Sequence, residues 1–137
     1  MIEIELPYPP TVNTYYRSVP MRKGRKAFAV VKISKQGREY RKAVAEIVKA
    51  SGVEMQRGAI AVRRLLYCPD WRMRDEDNTT KALYDSLAHA GAIEGDHFIV
   101  AGSVKKFKDA DGVGRVVVQI KKVDGGVIVK KAGAWLE

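Results

Sequence analysis

The stretch that decides the fold covers residues 60–91 and reads IAVRRLLYCPDWRMRDEDNTTKALYDSLAHAG. Its first part, Ile60 to Tyr67, is apolar enough to predict a strand, and Pro69 ends that strand. Its last part, 78–90, carries apolar residues at helical spacing and predicts a helix that Gly91 terminates. A strand and a helix, joined by a short acidic segment, therefore form the centre of the predicted fold.

Further strands and a second helix are predicted on both sides of this centre. Alternation of apolar and acidic residues predicts the first strand, and Ser34 is the expected N-cap of the other helix. The predicted elements are a strand at 2–6, a basic loop at 11–26, a short strand or hairpin arm at 28–33, a helix at 34–50, and strands at 98–107 and 115–123. This order predicts a single α+β domain over 1–123, with a mixed sheet and two main helices packed on it. The C-terminal extension 124–137 is predicted to be an edge strand or a loose tail.

Composition narrows the class of partner. The 137 residues suffice for one hydrophobic core, and 25 Lys and Arg against 16 acidic residues give a net charge of +9. Such a charge favours a polyanion, first of all nucleic acid, although a protein that is merely basic fits equally well. The single cysteine, Cys68, is expected to be a small buried residue in a reducing compartment. Without a signal peptide or a membrane-spanning run, we expect a cytoplasmic bacterial protein, possibly phage- or prophage-encoded, with no membrane partner and no organic cofactor.

Three acidic residues, Asp75, Glu76 and Asp77, precede the second helix directly. Carboxylates packed together repel one another unless a cation relieves the repulsion, and Mg²⁺ or Mn²⁺ takes oxygen ligands. Asp75 and Asp77 are two residues apart, so in an extended segment both side chains point the same way and can reach one ion. The same spacing is as typical of helix-capping carboxylates that pair with Arg72 or Arg74.

Lys81 lies four residues after Asp77, hence on the same face of the predicted helix. An ammonium beside a metal ion would stabilise the charge that develops on a phosphate or a leaving oxygen. Taken alone, Lys81 and Asp85 are more typical of an ordinary i,i+4 ion pair on a solvated face.

Asp96 is the third candidate metal ligand. The predicted helix is roughly 18–20 Å long, whereas the five residues after Gly91 extend at most about 17 Å. Asp96 therefore reaches the start of the helix only if the chain doubles straight back; otherwise a dimer partner must supply the carboxylate. By itself, Asp96 is more typical of a turn residue.

Positive charge is concentrated between Arg17 and Lys42, where ten residues are basic and one is acidic. This bias exceeds what a solvated surface requires and predicts a phosphate-binding surface on the loop and the first helix. The residues expected to bind nucleic acid include Arg74, beside the acidic segment, and these members of the loop and first helix: Asn13, Tyr16, Arg17, Arg22, Lys23, Arg25, Lys26, Lys35 and Arg38.

Three stretches of the chain together resemble the RusA family of Holliday junction resolvases of bacteria and their phages. They read PPTVN from residue 9, SKQGREYR from residue 34 and PDWRMRDEDN from residue 69, and the last continues through KALYDSL at 81–87 to Asp96. The pattern R-D-x-D-N-x-x-K-A-x-x-D with a downstream aspartate is specific, whereas the proline motif alone would be weak. The resemblance extends to about residue 122, and the tail lies outside it.

The resemblance implies that Asp75, Asp77 and Asp96 are the catalytic, metal-binding aspartates and that Lys81 is the catalytic lysine. It also implies a homodimer that uses Mg²⁺ or Mn²⁺ to nick paired strands of a four-way junction symmetrically. Many relatives carry an acidic residue just before the last aspartate, where this chain has Gly95. A helper role for a neighbouring acid is therefore in doubt.

The sequence thus predicts a metal-dependent endonuclease that resolves four-way DNA junctions. Two alternatives remain open: a junction- or single-strand-binding protein whose acidic segment is structural, and a metal nuclease that prefers flaps or forks. Tyr15 or Tyr16 would stack on bases at an opened junction, or else pack beneath the basic loop.

Overall fold

The computed structural model describes residues 1–70 and 77–123, with the backbone alone for Asp77. Arg74, Asp75 and the predicted extension 124–137 therefore lie outside the described residues. The elements are β1 (Ile2–Pro7), α1 (Val12–Tyr15), β2 (Tyr16–Lys23), β3 (Lys26–Ile33), α2 (Lys35–Ser51), β4 (Ile60–Cys68), α3 (Asp77–His89), a 3-10 turn (Asp96–Phe98), β5 (Ile99–Lys108) and β6 (Arg115–Lys122). Over these ranges, no helix has the length and apolar character that crossing a membrane requires.

Four strands form a mixed sheet in the order β1-β6-β4-β5. Strand β4 pairs in parallel with β5 and antiparallel with β6, and β6 pairs antiparallel with β1. Strands β5 and β6 follow one another in sequence but are separated in the sheet by β4. The parallel pair needs a crossover connection, and α3 lies in it. The predicted α+β architecture with a mixed sheet is confirmed.

One face of the sheet and the two long helices enclose the hydrophobic core. Each buried aliphatic side chain stabilises the fold by roughly 1.5–3 kcal/mol. Cys68, predicted to be buried, is 7% exposed and belongs to this core. The core side chains include Ile4 and Leu6 of β1, Tyr40, Val44 and Val48 of α2, Val62 and Leu66 of β4, Leu83 and Leu87 of α3, and Val116, Val118 and Ile120 of β6.

Helix α2 begins where the sequence predicted. The Oγ of Ser34 accepts a hydrogen bond from the backbone N–H of Gly37 at 2.9 Å, which satisfies one of the free donors of the first turn. A Cβ on Gly37 would lie 2.6 Å from the carbonyl oxygen of Tyr15, so only glycine lets α1 and α2 approach this closely. The hydroxyl of Tyr40 donates to the carbonyl of Pro7 at 2.8 Å and ties α2 to β1.

Helix α3 ends in a turn that reverses the chain. The N–H of Gly91 donates to the carbonyl of Ala88 at 3.1 Å, and that of Ala92 to the carbonyl of Leu87 at 3.0 Å. These two bonds make a Schellman motif, which requires the positive φ of 79° that Gly91 adopts. Because Ala92 and Leu87 are fully buried, the reversal is anchored in the core. The chain then returns to the 3-10 turn Asp96–Phe98 and to β5.

Strands β2 and β3 form a separate antiparallel hairpin, which we call the ribbon (residues 16–33). The prediction of a loop over 11–26 was wrong from Val12 onward, because α1 and β2 occupy most of that range, whereas the hairpin arm at 28–33 was correct. The pairing is unbroken from Tyr16 to Lys23, and Gly24, with φ of 61°, allows the tight turn. Most side chains of the ribbon are exposed. No alternation of buried and exposed residues therefore marks these strands in the sequence.

Candidate active site and DNA-binding surface

Lys81 and Asp96 come together beside the first turns of α3. The Nζ of Lys81 lies 3.6 Å from Oδ2 of Asp96, and both side chains are about half exposed, at 46% and 47%. Lys81 is roughly 6 Å along the helix from Asp77, where α3 begins. The chain therefore doubles back after α3 and carries Asp96 toward the start of the helix within one subunit.

The predicted metal ligands are only partly visible in this arrangement. Asp77 is the first residue of α3, but its side chain, like all of Asp75, lies outside the described residues. Asp96 opens a 3-10 turn and is solvent-accessible. Within 1–70 and 77–123, no three His, Cys, Asp or Glu side chains are grouped closely enough to hold a metal ion. Asp96 is the one predicted ligand whose side chain lies within these ranges.

Asp85 has partners other than the lysine one turn before it. Its Oδ2 accepts a hydrogen bond from the hydroxyl of Tyr15 and lies 3.8 Å from Nε of Arg41. Arg41 also donates from Nη2 to Nδ1 of His89 at 2.7 Å; a guanidinium has only donors, so Nδ1 is the acceptor. The simple Lys81–Asp85 pair was therefore the wrong interpretation, because side chains from α1 and α2 bind this carboxylate.

Tyr15 is the fully buried member of this group. Its N–H donates to the carbonyl of Thr11 at 2.8 Å, and its own carbonyl accepts from the N–H of Ser34 at 2.8 Å. Burial and, next, the hydrogen bond to Asp85 raise the pKa of Tyr15 far above its ordinary value, so the hydroxyl remains a donor. Of the two roles considered for the tyrosines, packing is therefore the one that Tyr15 has. Tyr16 is half-buried, and its ring and that of Tyr15 form a T-shaped pair with centroids 4.9 Å apart.

A buried arginine beneath α3 was not identified from the sequence. Arg64 of β4 is 7% exposed and donates from Nη1 to Oγ1 of Thr80 at 2.7 Å. Its guanidinium also lies 5.5 Å from the centre of the Tyr84 ring. Burial raises the pKa of Tyr84, and the charge of Arg64 partly opposes this rise. The alternation along β4 could have identified this arginine, because Arg64 occupies a core-facing position between Val62 and Leu66.

The predicted DNA-binding residues fall into three groups. Asn13, Tyr16 and Arg17 line an open cleft at the base of the ribbon. At the start of α2, Arg38 donates to the carbonyl of Ile33 at 2.9 Å. Lys35 also lies at the start of α2 and belongs to this second group. The third group is the exposed tip of the ribbon and consists of Arg22, Lys23, Arg25 and Lys26. Arg74 lies outside the described residues.

The ribbon carries charge of a single sign. It contains six basic residues and no acidic one. Residues opposite one another in the hairpin share a face. One face has basic pairs at both ends, Arg17 with Lys32 and Lys23 with Lys26, and between them the apolar pairs Val19 with Val30 and Met21 with Phe28. The two basic pairs are roughly 20 Å apart along the strand.

Comparison with known proteins gives one consistent family. The model of the family described as endodeoxyribonuclease RusA matches residues 7–121. A crossover junction endodeoxyribonuclease of Enterobacteria phage 82 is 36% identical over 121 residues, which is 88% of this chain and 93% of the phage protein. The RusA protein of Escherichia coli is 34% identical over the same extent. That of Enterobacteria phage HK97 is 39% identical over 92 residues, 66% of this chain and 70% of the relative.

Proposed function

The chain belongs to the RusA family of endodeoxyribonucleases, and on this basis we propose that it resolves four-way DNA junctions by making paired, symmetric nicks. The relatives are named for that activity on crossover junctions. The observation on this chain that carries the proposal is the approach of Asp96 to Lys81 beside the start of α3. A carboxylate and an ammonium thus stand together at a solvent-exposed point of a strongly basic protein.

We propose that Asp75, Asp77 and Asp96 hold Mg²⁺ or Mn²⁺. All three offer carboxylate oxygens, which are the ligands that these hard cations take. The exposure of Asp96 and the position of Asp77 at the first residue of α3 are compatible with such a site. When bound, the ion would supply an activated water and neutralise charge on the scissile phosphate.

The chain's own groups orient the DNA and stabilise charge. Lys81 projects from α3 beside Asp96, so its ammonium can stabilise negative charge on a phosphate oxygen that approaches the carboxylates. The ion pair with Asp96 places the lysine ammonium beside this carboxylate before DNA binds. This placement reduces the reorganisation that the reaction requires.

The ribbon and the start of α2 would hold the junction arms through phosphates. Contacts of this kind give an affinity that depends steeply on salt and little on sequence. A four-way junction has approximate two-fold symmetry. A homodimer with a two-fold axis would therefore present two active sites to opposed strands.

A synthetic four-way junction incubated with Mg²⁺ or Mn²⁺ tests the proposal. Mapping the nicks on all four labelled strands should give symmetric cuts in one opposed pair. Binding without cleavage would support the alternative of a DNA-binding protein. Faster cleavage of a flap or a fork with the same arm sequences would support a nuclease of different preference.

A further inference from the structure

The side chain of Asp85 is placed where it could compete for Lys81. The two residues are four apart on α3, the spacing at which oppositely charged side chains meet on a helix. Yet the ion pairs in the described part of the chain join Lys81 to Asp96 and Asp85 to Arg41. Something must therefore hold the Asp85 carboxylate against the attraction of the lysine.

Arg41 supplies the opposing charge. Its Nε lies 3.8 Å from Asp85, and its Nη2 is fixed by the hydrogen bond to His89. Both Arg41 and Asp85 are partly buried, with side-chain exposures of 25% and 32%. At such partly buried positions an ion pair is screened less by solvent than on an open surface. Arg41 comes from α2, so the contact also links the two long helices.

Tyr15 binds the same carboxylate oxygen from a second direction. The ring is buried and the backbone on both sides is hydrogen-bonded, so the hydroxyl has little freedom to move. The hydrogen bond runs to a carboxylate, and bonds to charged groups are the stronger kind. Tyr15 and Arg41 thus both bind Oδ2 of Asp85, one from α1 and the other from α2.

We propose that Tyr15 and Arg41 are positioning residues that hold Asp85 away from Lys81 and so leave the lysine directed at Asp96 and the DNA. The inference rests on the proposed role of Lys81 in cleavage. It adds a mechanism by which α1 and α2 act on the site through one carboxylate. Neither Tyr15 nor Arg41 needs to touch the substrate.

The test uses an Arg41→Met variant and a double variant in which Asp85→Asn is added. Without Arg41, Asp85 can turn to Lys81, and single-turnover cleavage of bound junction should fall by about twofold to fivefold, the effect expected of a solvent-accessible ion pair. The double variant lacks the competing charge and should regain most of the rate. If Arg41 only stabilises the fold, the double variant should cleave more slowly than Arg41→Met, because the second substitution removes another contact between the helices.

Three controls separate position from stability. Arg41→Lys keeps a cation and should stay near the wild-type rate, whereas Lys49→Met removes a charge from the far end of α2 and should change nothing. In a Lys81→Met background, Arg41→Met should have no further effect on cleavage. Circular dichroism should show the native helix content in each variant. A double variant no faster than Arg41→Met would overturn the proposal.

A second measurement does not depend on activity. In a crystal structure of metal-free Arg41→Met with Tyr15→Phe, Nζ of Lys81 should lie within about 4 Å of Asp85, the distance that defines an ion pair. A lysine that remains on Asp96 would refute the inference even if the wild-type protein cuts junctions. Conversely, a wild-type protein that cuts no junction would refute the proposed function while the displaced lysine still supported the inference.

Discussion

Helix α3 and the ribbon differ in how firmly their surroundings fix them. The apolar residues of α3, Leu83 and Leu87, are fully buried, and its charged residues Lys81 and Asp85 form ion pairs with the 3-10 turn and with α2. In the ribbon, by contrast, Met21, Phe28 and Val31 are 41%, 46% and 67% exposed. A two-stranded hairpin without a packed face is only marginally stable by itself.

Helix α3 and the ribbon are therefore expected to serve different purposes. Groups that react must be held within a fraction of an ångström, and a packed helix provides this. Groups that bind a polyanion need charge and reach, and an exposed ribbon provides both without contributing to the core. Cleavage, stability and affinity should therefore respond to changes in different parts of the chain.

The largest effect is expected at the proposed metal ligands. Asp77→Asn and Asp96→Asn should each lower the rate of junction cleavage by at least about a thousandfold, because a neutral amide binds a divalent cation poorly. Junction affinity in a mobility-shift assay should remain close to wild type. Asp111→Asn makes the same chemical change in an exposed turn and should leave both quantities unaltered. Equal loss of binding and cleavage would mean that these aspartates serve the fold instead.

The second largest effect is expected on the free energy of unfolding, when a core side chain of α3 is truncated. Leu87→Ala removes a fully buried side chain and should lower the free energy of unfolding by about 2–5 kcal/mol. Val31→Ala in the ribbon should change it by less than about 0.5 kcal/mol. Urea denaturation followed by circular dichroism measures both. Similar losses of stability in the two variants would contradict this difference, since they would show that the ribbon is packed as firmly as the helix.

Neutralising the tip of the ribbon should weaken binding without slowing the chemistry. With Arg22, Lys23, Arg25 and Lys26 all replaced by Gln, the slope of log affinity against log salt should become shallower by up to about 3.6 for each subunit bound, or about 7.2 for the proposed homodimer, since each phosphate contact contributes about 0.9. Fluorescence anisotropy of a labelled junction at several salt concentrations gives the slope. Lys121→Gln with Lys122→Gln, at the end of β6, should have a smaller effect per charge. A slower single-turnover rate on fully bound junction would contradict the separation.

The smallest effect on stability is expected at Ser34, where the ribbon joins helix α2. Ser34→Ala removes the N-cap of α2 and the hydrogen bond from Ser34 Oγ to the carbonyl of Thr14, at 2.5 Å. The free energy of unfolding should fall by about 1 kcal/mol in a thermal melt. Ser18→Ala, on the exposed part of the ribbon, is the matched control and should be neutral. A larger loss at Ser18 would reverse the order of the two regions.

The parts of the fold that local signals specify were predictable from sequence. Ser34 and Gly91 marked the start of α2 and the end of α3 because caps act on neighbouring backbone groups. Strand β1 was recognisable because one of its faces is buried and the other is not. In the candidate site, chain length alone limited Asp96 to a direct return, and the structure has that return.

Features set by distant residues were not predictable in the same way. The partners of Asp85 come from 44 and 70 residues earlier, and no pattern around residue 85 indicates them. The ribbon lacks a buried face, so its strands carry no period of two. Arg64 is core-facing only because β4 lies between β5 and β6 and beneath α3, a neighbourhood that the whole sheet creates.

The central position of β6 links enzymatic competence to completion of synthesis. Residues 115–122 supply the strand with which both β1 and β4 pair, so a nascent chain that ends earlier leaves β1 without a neighbour in the sheet. Val116, Val118 and Ile120 of β6 are then missing from the core that also contains Leu83 and Leu87 of α3. We therefore expect the nascent chain to lack nuclease activity until β6 has emerged from the ribosome.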